Sequence, residues 1–169
     1  TFDRYLARQF GDRSAPDALW AYTPYEVRNV LTFVHLDRPA DAQTVLQGLL
    51  ADRRPLAWQM WPEVVHSRPR YPGYIGDMPH TWIGAEYART LVGMLLHEGD
   101  DGLQLLPGAP ADWVAGDGLS VRALPTAFGP LTMSARQTGA RLEVTLGAGL
   151  RDALPVQVIW PRRTRPASV

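Results

Sequence analysis

The acidic and aromatic side chains between Trp58 and Trp82 have types and spacings that suit chemistry. Glu63 follows "WQMWP" and Asp77 precedes "MPHTW", with arginines, rings and turn residues between them. Two carboxylates serve acid/base catalysis when one protonates a leaving group and the other activates water, which is how glycosidic bonds are hydrolysed. Indole and phenol rings offer flat apolar faces to a pyranose, while Arg and His offer donors to its hydroxyls. Glu63 and Asp77 are therefore the candidate catalytic residues. Trp58, Trp61, Arg70, Tyr74, His80 and Trp82 are the candidate substrate-binding residues. Each also has a structural reading. Glu63 can pair with Arg68 or Arg70, Asp77 and His80 can brace the start of the following helix, and Glu86 lies along that helix as a packing element.

Other chemistries lack their residues. His35, His66, His80 and His97 are the four histidines, and no two stand at the spacing of a helical metal-binding pair. His35 and His97 are expected to end helices, where an imidazole answers free carbonyls. With no cysteine there is no thiolate site or disulfide frame. No G-x-S-x-G elbow occurs, and "GAGL" at 147–150 is followed by neither helix nor lysine. Arginine carries all the positive charge, so Schiff-base and P-loop lysine chemistry are excluded. No cofactor and no metal are expected.

A formal net charge of zero removes the electrostatic case for nucleic acid or an anionic membrane surface, and "PRRTRP" reads as a solvated basic terminus. No apolar run reaches membrane-spanning length. Nothing in the residues assigns a compartment, although export suits a protein acting on polysaccharide.

The elements that must position these side chains follow from periodicity. Phe2, Leu6 and Phe10 share a short helical face. Residues 24–36 read as a helix with Val27, Val30, Leu31 and Val34 inward and with Pro24 and Glu26 at its start. Residues 37–54 read as a second helix burying Ala42, Val45, Leu46, Leu49 and Leu50, and the short "LDRP" connection makes the two an antiparallel hairpin. Residues 55–79 form a long Pro-rich connection. Residues 80–100 give the strongest helix, with Ile83, Tyr87, Leu91 and Leu95 at i+4, Ala88, Val92 and Met94 widening the stripe, and Gly99 as its C-cap. Beyond that point the period is two: strands at "LQLLP" and "LSVRAL", a hairpin turning at "TG", and a last strand "PVQVIWP" with Val156, Val158 and Trp160 on one face. Trp113 is expected to pin its loop to the strands, and Trp20 and Trp160 to pack. The fold class is therefore α+β, with a helical part over 1–102 and an antiparallel β module over 103–169.

The order "W..MWPE…GYIGDMPHTWIGAEYARTLVGMLL…DGLQLLPGAPADWV…GLSVRALPTAFGPLTMSAR" resembles the end of bacterial six-hairpin glycosidases, the superfamily of α-L-rhamnosidases and glucoamylase-like enzymes. The resemblance implies that residues 1–102 are the last helical hairpins of an (α/α)6 toroid. It implies a small antiparallel β-sandwich-like module behind them, and a chain that is the carboxyl-terminal fragment of a longer one, which the opening Thr1 also suggests. It further implies a glycoside hydrolase, with Glu63 as general base, Asp77 and His80 positioning sugar hydroxyls, and Trp58, Trp61 and Trp82 stacking on or shaping the cleft. In that family the acid directly follows a tryptophan, whereas here Gln59 follows Trp58 and Glu63 follows Pro62. The partners implied are a carbohydrate substrate and the remainder of the parent chain, which would hold the second carboxylate. Two rival readings stand beside it: a non-catalytic carbohydrate-binding or scaffolding portion, and a glycoside phosphorylase with Arg68 and Arg70 at phosphate.

Overall fold

The computed structural model describes residues 1–13, 15–68, 71, 76–100 and 102–161. Its first element, α1 (Phe2–Leu6), continues as a wider helical turn over Ala7–Gly11. A 3-10 turn, Pro24–Val27, leads into α2 (Arg28–His35), and α3 (Pro39–Ala51) follows as the other arm of the hairpin. Pro24 and Pro39 each occupy the first turn, where a missing N–H leaves no helical bond unmade. Val27, Val30 and Val34 are buried as their spacing predicts. Phe33, at 0% exposure, takes the central place expected for Leu31, which is only half-buried. Its ring is wedged against Phe2 edge-on at 5.4 Å and lies 6.3 Å from Tyr5, so α1 closes that side of the hairpin.

The connection after α3 is tied down by short pairings. A two-residue strand β1 (Ala21–Tyr22) pairs antiparallel with β2 (Val65–His66), and Ser67 N–H extends the ladder to Trp20 O at 2.9 Å. Trp61 donates from Nε1 to Leu49 O on α3 at 2.8 Å. Next comes α4 (Thr81–Leu95), which buries Ile83, Thr90 and Met94. Ala88 and Val92, expected inside, are exposed, Val92 to 39%.

The expected helix to residue 100 stops at Leu95. Residues Leu96–Gly99 form β3, antiparallel to β4 (Gly102–Leu105), with His97 opposite Gln104. His97 is thus a strand residue and not a helix end, and Gly99 is the last strand residue before the turn instead of a C-cap. The reason lies in packing: Leu96 belongs to the core of the β elements with Leu103 and Leu105, and strand pairing aligns all three.

A single turn, α5 (Ala111–Val114), precedes the meander of β5 (Leu119–Leu124), β6 (Leu131–Thr138) and β7 (Arg141–Leu146). Leu131, Met133 and Ala135 alternate inward on β6, each 2% exposed or less, and Trp113 packs against this cluster. The loop between β6 and β7 is Gly139–Ala140, with Gly139 at φ +58°, the sign that primed hairpin turns demand. The last strand, β8 (Val156–Val158), lies parallel to β4, so one pairing departs from the antiparallel pattern. Val158 and Trp160 are 42% and 48% exposed, which corrects the expectation that Trp160 packs.

The architecture is α+β with small sheets, and the chain divides into two compact units, Thr1–Leu91 and Val92–Val169. The division falls within α4, ahead of the 102/103 position read from the sequence, because the turn carrying Met94 and Leu95 bonds to Gly108 and Leu106 of the second unit. Among the described residues no helix is long and apolar enough to cross a membrane.

Candidate functional site

The connection before α4 folds back on itself through two backbone bonds. Glu63 N–H donates to Asp77 O at 3.0 Å, and His80 N–H donates to Trp61 O at 3.3 Å. These two rungs bring the "WPE" and "GDMPH" segments side by side within the first unit. Gly76 makes the approach feasible: a Cβ there would come 2.7 Å from Glu63 Cβ and 3.2 Å from Val64 N. Gly76→Ala is therefore expected to push the two segments apart. It should lower the melting temperature of the first unit and weaken any activity that depends on Glu63, with overpacking of this kind costing about 1–3 kcal/mol. Thermal unfolding monitored by circular dichroism checks it, and an unchanged melt would show that the segments tolerate the extra carbon.

His80 is the junction of the site. Its side chain is 12% exposed, and Nε2 stands 2.7 Å from the hydroxyl of Tyr25 on the 3-10 turn before α2. Nδ1 lies 3.9 Å from Asp77 Oδ2, beyond direct hydrogen-bond range. Partial desolvation, with Glu63, Glu86 and Asp77 nearby, raises the Tyr25 pKa above the ordinary phenol value, while Arg28 opposes the shift. The Tyr25 hydroxyl and His80 Nε2 share one hydrogen bond, whose donor is set by the imidazole tautomer. The order Asp77–His80–Tyr25 is a polar chain running from the rim inward.

Around this chain the aromatic side chains differ in what they present. Trp82 is 60% exposed and meets the Tyr25 ring edge-on at 5.2 Å. Trp58 is 58% exposed at the end of a 3-10 turn, Leu56–Trp58. Both offer faces to solvent. Trp61 is 5% exposed, packs on Tyr87 at 5.0 Å and has its N–H satisfied by Leu49 O, so it is a packing residue and offers no face for stacking. The Tyr71 ring stacks on His66 at 4.2 Å. Arg70 and Tyr74 lie outside the described residues.

Among the carboxylates, Asp77 is 85% exposed and Glu63 is half-buried. Glu86 is held by Arg28 at 2.9 Å and by Arg89 at 3.7 Å. Glu63 takes part in no side-chain hydrogen bond or ion pair among the described residues, Arg68 included. No group of three or more His, Asp or Glu able to hold a metal ion occurs among the described residues.

Sequence reasoning missed Tyr25 and Arg28. Both sit at the start of a helix whose apolar stripe drew the attention, and the one available signal was a tyrosine directly after the N1 proline. Arg28 also lies 5.2 Å over the Tyr25 ring, which fixes the phenol against the helix. Comparison with family models, with curated proteins and with solved structures returns no match. The functional reading accordingly rests on the residues themselves.

Proposed function

We propose that the chain is part of a glycoside hydrolase and that its first unit supplies one wall of a sugar-binding cleft. The observation that carries this reading is the pairing of the Trp61–Glu63 segment with the Asp77–His80 segment. It gathers two carboxylates beside the Tyr25–His80 pair and near the exposed ring of Trp82. In this reading Glu63 is the general base, with no ion pair among the described residues that would compete for its charge. Asp77 and His80 hold sugar hydroxyls from the rim, and Trp58 and Trp82 stack on the rings. Trp61 sets the depth of the wall. A second carboxylic acid, contributed by another part of a longer parent chain, would protonate the glycosidic oxygen.

The same reading makes α2, α3 and α4 the last hairpins of an (α/α)6 toroid. Two features support it: the antiparallel α2–α3 pair, and the part of the α4 stripe, Ala88 and Val92, that lies exposed in this chain and would find a neighbour in a toroid. The exposed faces of Trp58 and Trp82 also suit carbohydrate binding without turnover. The parent protein should release reducing sugar from a panel of oligosaccharides in the absence of phosphate. Binding with no release would favour the non-catalytic reading, and release that requires phosphate would favour a phosphorylase.

A further inference from the structure

The second unit carries a constellation of its own. Strand register sets His97 opposite Gln104 and Gln104 opposite Gln157, so three polar side chains form one row across β3, β4 and β8. Their neighbours Leu96, Leu103 and Leu105 enter the core, which leaves the row on the other face of this small sheet. Two positions along that face, Gly99 stands opposite Gly102. Neither glycine carries a side chain, and a cavity of about 400 Å³ opens there. It is lined by the polar row, by both glycines, by Asp100 at the turn and by Pro155 ahead of β8. Ligand cavities of small molecules span about 300–1,000 Å³.

The two glutamines define what this groove can recognise. Gln104 Nε2 donates to Gln157 Oε1 at 3.1 Å, and neither amide makes another side-chain hydrogen bond among the described residues. The bond leaves one amide oxygen and one amide NH2 group to spare on adjacent strands. Exchanging oxygen and nitrogen in both side chains gives the same outcome, an acceptor beside a donor. Neighbouring strands lie about 4.8 Å apart, so one ring with two adjacent hydroxyls reaches both groups. One hydroxyl accepts while the other donates. A trans secondary amide answers the pattern badly, because its N–H and C=O leave from opposite edges. Charge narrows the class further. Among the described residues no arginine lines the groove. Asp100 is exposed at its edge and in no ion pair among those residues, so it repels an anion and accepts from a hydroxyl.

We propose that this groove is a carbohydrate site separate from the first-unit cleft, taking a neutral pyranose through two adjacent hydroxyls. Gln104 and Gln157 form the bidentate pair, and Asp100 accepts from a further hydroxyl. The site shares no residue with the Glu63–Asp77 constellation and does not depend on the hydrolase reading.

Titration of the full chain, followed by proton–nitrogen correlation spectra, tests the assignment. The probes are the methyl α-glycosides of D-glucose, D-mannose and D-galactose, with cyclohexanol and D-glucuronate as comparators. At least one glycoside is expected to shift the backbone amides of Leu96–Gly99, Gly102–Leu105 and Val156–Val158 saturably. It should bind at least about tenfold more tightly than cyclohexanol, which lacks the diol, and more tightly than glucuronate. The double substitution Gln104→Leu, Gln157→Leu should weaken binding by about tenfold or more. Gly99→Ala gives an independent check. Among the described residues a Cβ there meets only Gly102 O, at an ordinary 3.6 Å, so the melting temperature should hold while the methyl obstructs the groove. Glu63→Gln and Trp82→Ala, both in the first unit, should leave these shifts unchanged whether or not the hydrolase reading survives. No saturable shift with any glycoside, equal affinity for cyclohexanol, or undiminished binding by Gly99→Ala would each overturn the assignment.

Discussion

On the proposed hydrolase reading, replacing Glu63 by Gln is expected to lower kcat for glycan hydrolysis by about 10²–10⁴-fold in the longer parent protein, the range by which a positioned general acid or base contributes. Substrate binding should change little, because glutamine keeps the shape of the side chain and its capacity for hydrogen bonding. Stability should also be nearly unchanged, since the Glu63 side chain makes no hydrogen bond or ion pair among the described residues, and only its backbone N–H is bonded, to Asp77 O. A fall in kcat at constant KM and constant melting temperature is the pattern of an interaction made in the transition state. Asp77→Asn should cost less, because a side chain 85% exposed at the rim can orient a hydroxyl but is poorly placed to exclude water from a reacting centre. Steady-state kinetics on the two variants separate the roles. A Glu63→Gln rate within a few-fold of the parent would sink the assignment. A larger loss in Asp77→Asn than in Glu63→Gln would exchange the two residues.

The local elements were legible where one period dominated. The stripe of α3 predicted Ala42, Val45, Leu46, Leu49 and Leu50; the first four are buried and Leu50 is half-buried. The alternation Leu131, Met133, Ala135 and the glycine after Thr138 predicted the hairpin of β6 and β7. The misreadings have physical causes. Leu96 to Gly99 continue the helical spacing of α4, yet pairing with Gly102–Leu105 buries Leu96 in the β core, and tertiary packing outweighs a weak local preference. Glu26 stands in the first turn where its spacing placed it, but its desolvation beside Tyr5 was not legible, because the two meet only after α1 packs on the α2–α3 hairpin. The candidate site was half visible. Its loop residues stood out by type, whereas Tyr25 reaches His80 across 55 positions of sequence, and no periodicity encodes that pairing.

Trp61 and Trp82 were grouped by residue type, and substitution should separate them sharply. Trp61→Ala is expected to destabilise the first unit by about 3–5 kcal/mol, the range for removing a buried large aromatic side chain. The indole is 5% exposed, fills the space beside Tyr87, and satisfies Leu49 O near the end of α3. Its loss leaves a cavity and removes one of the two hydrogen bonds that Leu49 O accepts, the other coming from Asp52 N–H. Each kcal/mol shifts the melting temperature of a 60–100-residue unit by about 4–8 °C, so the melt should fall by more than about 10 °C. Because Trp61 O also receives His80 N–H, the "DMPH" segment should loosen with it, and activity should fall through misplacement of Asp77 and His80. Trp82→Ala removes a ring that is 60% exposed and touches Tyr25 by its edge, an interaction of about 0.5–1.5 kcal/mol. Its melt should stay within a few degrees of the parent, while the affinity for sugar drops. Differential scanning calorimetry paired with sugar titration reads both effects. A Trp61→Ala protein that melts normally and binds sugar poorly would return that indole to the binding face, and with it would go the division between the residues that build this wall and those that meet the ligand.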